Sequence, residues 1–259
     1  MSQAFAMFRH ALRMIFANFG ATLRAIAPGL VLIVLAALAI YMLSTDLAEM
    51  MLARDNDIGQ VLSGGGLLTI LLGALVMFVG FVVMAIIWHR YVLLSEVERE
   101  GGLTPSAKTV GRYVWVSILL FLIIFLLSIP IMMVVGLVAA ALASAPGPLV
   151  GLLGLLVGVV IGWIVMRLSL PLPAVAIGKR LSFGDSWRAT QPVAVIVLWL
   201  SLGVSIFNQV IGSVVAAVIS EPLFLAGSLQ LIVTILTALI SASVLTTLYG
   251  LCIEGREIG

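Results

Sequence analysis

Charge is what this sequence has least of. Only 9% of its 259 residues are Asp, Glu, Lys or Arg, against roughly 25% in an ordinary soluble protein. Stretches of soluble character do not exceed about 25 residues, too few for a separate water-soluble catalytic domain. The formal net charge of +2 and the absence of a concentrated basic face exclude a nucleic-acid partner, which needs Lys and Arg gathered on one surface. Cysteine is nearly missing: Cys252 stands alone, so neither an intramolecular disulfide nor a cysteine-based metal site can form. Histidine is limited to His10 and His89. Neither has a His or carboxylate at metal-ligand spacing, no nucleophile is followed by a base and an orienting acid, and no cofactor is expected.

Hydrophobic residues are abundant, at 63%, with a mean hydropathy of +1.31. Six apolar runs are long enough to cross roughly 30 Å of hydrocarbon as helices. They fall at about 25–43, 66–88, 114–142, 149–170, 193–217 and 229–251. The uncharged stretch from Tyr113 to Met166 is too long for one crossing and contains Ser144-Ala145-Pro146-Gly147-Pro148, which predicts a tight hairpin between two spans. The expected fold is all-α, a six-span transmembrane bundle.

The few charges sort by side. Alternation from a cytoplasmic N-terminus puts Arg9, Arg13, Arg24, Arg90, Arg99, Lys108, Arg112, Arg167, Lys179, Arg180, Arg188 and Arg256 on the cytoplasmic side and only Arg54 opposite. This asymmetry is a positive-inside pattern, and it requires an even number of spans with both termini cytoplasmic. Trp88, Tyr91, Tyr113, Trp115, Trp163, Trp187 and Tyr249 fall near the same predicted ends, where aromatic belts form. Residues 1–24 read as an interfacial amphipathic helix, with Phe5, Phe8, Leu12, Ile15 and Phe19 on one face. The following apolar run exceeds the hydrophobic region of a signal peptide. A second short helix is predicted from Ser182, whose Ser-Phe-Gly-Asp pattern matches a capping box through Asp185.

Three sets of residues invite a functional reading. Gly154, Gly158 and Gly162 form a smooth strip on the fourth span, suited to close packing against another span of the same chain or to docking of another subunit. Asn208 and Gln209 lie mid-span in the fifth helix, where an unpaired amide costs several kcal/mol (~2–7). Their candidate partners are Thr234, Thr237, Ser241 and Ser243; a polar pathway is the other reading. Arg167 is the charge nearest the hydrocarbon core and precedes Pro171 and Pro173. It either snorkels at the cytoplasmic edge or, lying deeper, meets a carboxylate, a helix C-terminus or a lipid phosphate, with Lys179, Arg180 and Arg188 helping to hold an anionic headgroup. No Asp, Glu, Lys or His occupies mid-span, which argues against ion-coupled transport through a membrane carboxylate.

The segments Trp88-His89-Arg90-Tyr91-Val92-Leu93-Leu94, Arg167 through Thr190, and Leu245-Thr246-Thr247-Leu248-Tyr249-Gly250 resemble a broad group of bacterial six-helix inner-membrane proteins akin to the membrane domain attached to some glycerophosphoryl diester phosphodiesterases. In those enzymes catalysis belongs to a separate soluble barrel, whose metal-binding acids and histidines have no counterpart among these residues. The resemblance implies an inner-membrane, non-catalytic module that handles or positions lipid. The resulting expectation is a scaffold or accessory subunit whose partners are membrane lipids and another membrane subunit or a second copy. A transporter or lipid-handling module binding an anionic headgroup near Arg167 is the alternative.

Overall fold

A computed structural model of the chain describes residues 2–52, 65–141, 147–218 and 223–256. The described residues form an all-α bundle without strands, and six of its helices are long and apolar enough to cross a membrane. In chain order the helices are α1 (Ser2–Phe16), α2 (Phe19–Leu52), α3 (Gly65–Leu93), α4 (Glu96–Glu100), α5 (Ala107–Ala141), α6 (Gly147–Leu168), α7 (Pro171–Ala176), α8 (Phe183–Ala189), α9 (Ala194–Val218) and α10 (Leu223–Ile253). Most of the proposed hairpin turn, together with Arg54, Asp55, Asp57 and Glu221 of the sparsely charged side, lies outside the described residues.

The spanning helices run past the expected boundaries, with 34 residues in α2 and 35 in α5. Lys108 and Arg112 show why at the start of α5: a helix continues beyond the hydrocarbon as long as its polar residues can remain in the headgroup layer. Pro28 and Pro130 sit inside unbroken helices, as spanning helices allow when neighbouring groups re-satisfy the backbone. The chain does break at Ser169-Leu170, just before Pro171, which starts the short helix α7.

The N-terminal segment divides earlier than expected. Asn18 takes the role of N-cap for α2, accepting a bond from Ala21 N at 3.2 Å through its side chain. Thr22 Oγ1 then donates to Ile15 O at 3.0 Å, satisfying a carbonyl at the end of α1. The buried face of α1 is Ala4, Met7, Ala11 and Ile15 rather than the phenylalanine line. Ala4 and Ala11 let α1 approach α10 and α9 closely, whereas Phe5, Phe16 and Phe19 stay exposed. Helix α1 is thus part of the core as well as amphipathic.

The most extensive helix pair is α2 with α3, and glycine creates it. A Cβ on Gly29 would fall 2.6 Å from Gly80 O, and one on Gly80 would fall 2.8 Å from Ile33 Cγ1. One turn pair further along, a Cβ on Gly73 would fall 2.7 Å from Ile40 Cγ1. The two backbones touch because each glycine receives an isoleucine or a backbone from the facing helix, the contact that drives helix association in lipid.

Burial is uneven along the bundle. Buried residues concentrate where α1, α7 and α8 meet one end of the spans: Met84 to His89 on α3, Leu168 to Ala176, Val197 to Ser201 on α9, and Leu239 to Gly250 on α10. Beyond Leu120, no described residue of α5 is buried. The bundle is tightly packed at its basic end and open towards the other. Trp88, Tyr113 and Tyr249, expected in an interfacial belt, are instead core residues of the packed end, because the short helices cap that end and exclude the interface from it. Trp115 does remain exposed.

The glycine contact yields a test. Gly29→Ala is expected to destabilise the protein by about 1–3 kcal/mol through overpacking. Gly136→Ala, where an added Cβ meets nothing within 4 Å, is expected to leave stability unchanged or to raise it by up to about 1 kcal/mol. Thermal unfolding in detergent compares them; equal effects would contradict the α2–α3 crossing.

Candidate functional site

The packed end is held together by polar groups that close on one another. The last turn of helix α6 carries Arg167, which is 4% exposed. Its guanidinium lies 3.6 Å from the centre of the Trp187 ring and 4.8 Å from that of Trp163, a double cation–π arrangement. Nε donates to Thr190 Oγ1 at 3.2 Å and a terminal nitrogen donates to Trp187 O at 3.0 Å. The cation therefore meets the carbonyl end of α8, where the helix dipole favours positive charge. Ser186 Oγ returns a 2.6 Å bond to Arg167 O, and Trp163 Nε1 donates to Ala194 O at 2.9 Å.

The local sequence of α8 accounts for this geometry. Ser182 and Asp185 form the expected capping box, with the Ser182 hydroxyl accepting from Asp185 N at 3.0 Å. That start fixes the helix phase and brings Ser186, Trp187 and Thr190 to Arg167. The Ser182 hydroxyl bond, then the Arg188 guanidinium, holds the Asp185 carboxyl below its ordinary range. A similar capping box through Ser95 and Glu98 opens α4. Its Ser-Glu-Val-Glu sequence carried the same signal.

A second polar chain runs through His89. The Thr246 hydroxyl donates to Ala242 O at 2.6 Å, so its oxygen is left to accept from His89 Nδ1 at 2.7 Å. That direction leaves His89 Nε2 as acceptor for the Tyr113 hydroxyl at 3.4 Å. A neutral imidazole thus links α3, α5 and α10 without a buried charge. Residues from α3, α7 and α10 meet at this end, where Trp88, Leu170, Ala174, Leu248 and Tyr249 share one buried cluster.

A cavity of about 680 Å³ opens at the same end, beyond the C-termini of α3 and α10. Its lining includes Leu93, Glu98, Arg99, Lys179, Glu254 and Arg256, and reaches neither Arg167 nor Asn208. Glycine-based turns deliver two of its cations. Gly178, with φ of +80°, closes α7 as Gly178 N bonds Val175 O and Lys179 N bonds Ala174 O, at 3.0 and 2.8 Å, the pattern of a Schellman cap. Gly255, with φ of +65°, similarly turns Arg256 back so that its backbone N reaches Gly250 O at 3.0 Å. Lys179 and Arg256 then share Glu254 at 2.9 and 2.8 Å. Arg256 also donates to Leu93 O at 2.7 Å, satisfying a carbonyl that the end of α3 leaves free.

The residues proposed to hold an anionic headgroup do not converge. Arg167 is enclosed by tryptophan, Lys179 faces Glu254, Arg188 pairs with Asp185 at 2.6 Å, and Arg180 is exposed between α7 and α8. Gly158 and Gly162 pack within the chain: their added Cβ atoms would fall 3.6 and 2.6 Å from Ser205 and Ser201 Oγ of α9. Ser201 Oγ donates to Val159 O at 2.7 Å across the same seam. Gly154 faces open space. Asn208 and Gln209 are exposed, and two of the four expected α10 partners bond within their own helix: Thr234 and Ser243 donate to Gln230 O and Leu239 O at 2.8 and 2.9 Å. Hydroxyls four residues from a carbonyl satisfy themselves locally. Among the described residues, no group of three His, Cys, Asp or Glu is placed to hold a metal ion.

Neither a protein-family model, nor a curated protein, nor a solved structure gives a significant match to this chain.

Arg167→Lys is expected to cost about 1–3 kcal/mol, since lysine keeps the charge but loses the planar stack and the forked donors. Thermal unfolding of the detergent-solubilised protein measures it, and wild-type stability would remove the clamp as a packing element. Asp185 gives a pH prediction. Its folded-state carboxyl titrates lower than in the unfolded chain, so the cap's contribution is present above the ordinary carboxylate range and is lost as pH falls through the depressed value. Hydrogen exchange at residues 183–189, corrected for intrinsic rate, should accelerate over that interval and lose this dependence in Asp185→Asn.

Proposed function

We propose that this chain is a non-catalytic inner-membrane module of the bacterial type, a scaffold or accessory subunit that works by lateral association with a second copy or another membrane subunit. Both termini are cytoplasmic in this reading, which draws on the positive-inside pattern. The likeness to the membrane domain of glycerophosphoryl diester phosphodiesterases is consistent with a module whose chemistry belongs to a partner.

The observation that carries the reading is the exposure of Asn208 and Gln209 in the middle of α9. Gly212 and Ser213 fall at helical spacing beside them, and a Cβ on Gly212 would meet nothing within 4 Å. Exposed amides within hydrocarbon lack water as a partner, and an approaching helix supplies both donor and acceptor. The stripe lies in the half of the bundle that does not pack on itself. Small residues admit the second backbone, while the amides fix its register.

Transport or headgroup handling built around Arg167 draws less support, because both flanking tryptophans and two protein oxygens already occupy its guanidinium. In this reading, Arg167→Leu leaves lipid co-purification unchanged.

Subunit counting by native mass spectrometry from native lipid discs tests association. The wild type is expected to give a stoichiometric oligomer or heteromer. The Asn208→Leu/Gln209→Leu double variant is expected to lose the assembled species while keeping its thermal transition. A strictly monomeric wild type would overturn the proposal.

A further inference from the structure

We propose that the cavity at the basic end binds a phosphate ester, with Arg99 as its principal cationic donor and Lys179 as the second. This site is independent of the association proposed above and does not involve Arg167.

The charge inventory of the cavity points to an anion. Its lining contains three cations, Arg99, Lys179 and Arg256, and two carboxylates, Glu98 and Glu254. Both carboxylates are already engaged. Glu254 lies between Lys179 Nζ at 2.9 Å and Arg256 Nε at 2.8 Å, the latter an ion pair without hydrogen-bond alignment. Glu98 turns its Oε2 to Ser95 N and Oγ at 2.9 and 2.7 Å, and the backbone bond from Ser95 leads in holding its carboxyl below the ordinary range. Lys179 and Arg256 share the single carboxylate of Glu254, which leaves one positive charge in excess there, while Glu98, bonded to neutral Ser95 groups, keeps its own negative charge. Arg99 is the cation of the lining without a direct partner. Among the described residues it makes no ion pair, and its guanidinium lies 5.5 Å from the centre of the Tyr91 ring. Its Nε is shielded from solvent and has no hydrogen-bond acceptor, so the terminal guanidinium nitrogens are the donors left to a ligand in the cavity.

Fixation and access differ among the cations. Arg256 is committed to Leu93 O, Val92 O and Glu254, and so acts as a strut. Lys179 is 57% exposed along its side chain; one of its three donors faces Glu254, leaving two for a ligand. The contact with Glu254 raises the Lys179 pKa, so the ammonium stays charged throughout the neutral range. Leu93, Leu94, Ile177 and Ile253 add an apolar wall. An anion with an apolar side fits this combination, and guanidinium with ammonium matches phosphate oxygens. A phosphodiester headgroup entering from the membrane and a free phosphate entering from water offer the same chemistry.

The test uses the full chain in maltoside detergent, which carries no phosphate. One arm titrates inorganic phosphate and follows the thermal transition; the other adds phosphatidylglycerol to the micelles and counts retained lipids by native mass spectrometry. Arg99→Gln is expected to weaken the response about tenfold or more, the loss of one charge-assisted bond. Arg99→Lys is expected to restore part of it. Arg188→Gln, whose partner is Asp185 outside the cavity, is expected to behave as wild type. A response to inorganic phosphate identifies a soluble ester or ion as ligand; retained phosphatidylglycerol alone identifies a lipid headgroup. No response in either arm, or equal loss in Arg99→Gln and Arg188→Gln, would overturn the proposal. Wild-type thermal stability of Arg99→Gln without ligand distinguishes loss of binding from loss of fold; if it unfolds, Arg99→Lys and Lys179→Gln carry the same comparison.

Discussion

Polar groups inside a membrane have no water to bond, so each must find a partner within the protein or stay near a surface. The packed end of this bundle follows from that constraint. Arg167 gives two donors to the final turn of α8 and lies in the corner formed by two indoles packed edge to face. His89 passes a single hydrogen-bond direction from Tyr113 to Thr246 and on to Ala242 O. Arg256 reaches the carbonyl end of α3. These arrangements tie α3, α5, α6, α8 and α10 together where the chain leaves the membrane, and none requires a buried ion pair, whose desolvation would offset its attraction.

Glycine supplies the second ordering element, in two different ways. At Gly29, Gly73 and Gly80 the missing side chain brings backbones and isoleucines into contact, replacing lipid contacts with denser protein ones. At Gly178 and Gly255 the left-handed backbone stops a helix and turns the next residue, Lys179 or Arg256, into the cavity. Close packing and placement of charge thus both depend on positions that carry no side chain.

The two ends of the bundle consequently differ in character. The packed end has short helices across it, internally satisfied polar groups and a charged cavity. The other half leaves much of α5, α6 and α9 exposed, with amides on α9. Lipid can cover apolar surface indefinitely at little cost. It cannot satisfy amides, and the proposed association rests on that difference.

The class of the protein is written along the chain. Six apolar runs and few charges are properties of composition along the chain, and spanning helices satisfy their backbones locally, so the spans were legible. The Ser182–Asp185 cap was legible for the same reason, since its partners are three residues apart. The depth of Arg167 and its partners were not, because the receiving groups, Trp187 and Thr190, belong to a different helix whose phase is set by that cap. The glycine strip on α6 was visible, but only the folded chain shows Gly158 and Gly162 turned to α9 while Gly154 is left open. Gly29 and Gly80 are 51 positions apart, and nothing local in either neighbourhood marks their contact. The cavity is the most tertiary feature of all: Arg99, Lys179 and Arg256 come from three chain segments, and their charges become a site only after α3, α7 and α10 have ended side by side. Hydrophobicity acts residue by residue and is written along the chain, whereas the pairing of polar groups depends on which helix ends meet in space.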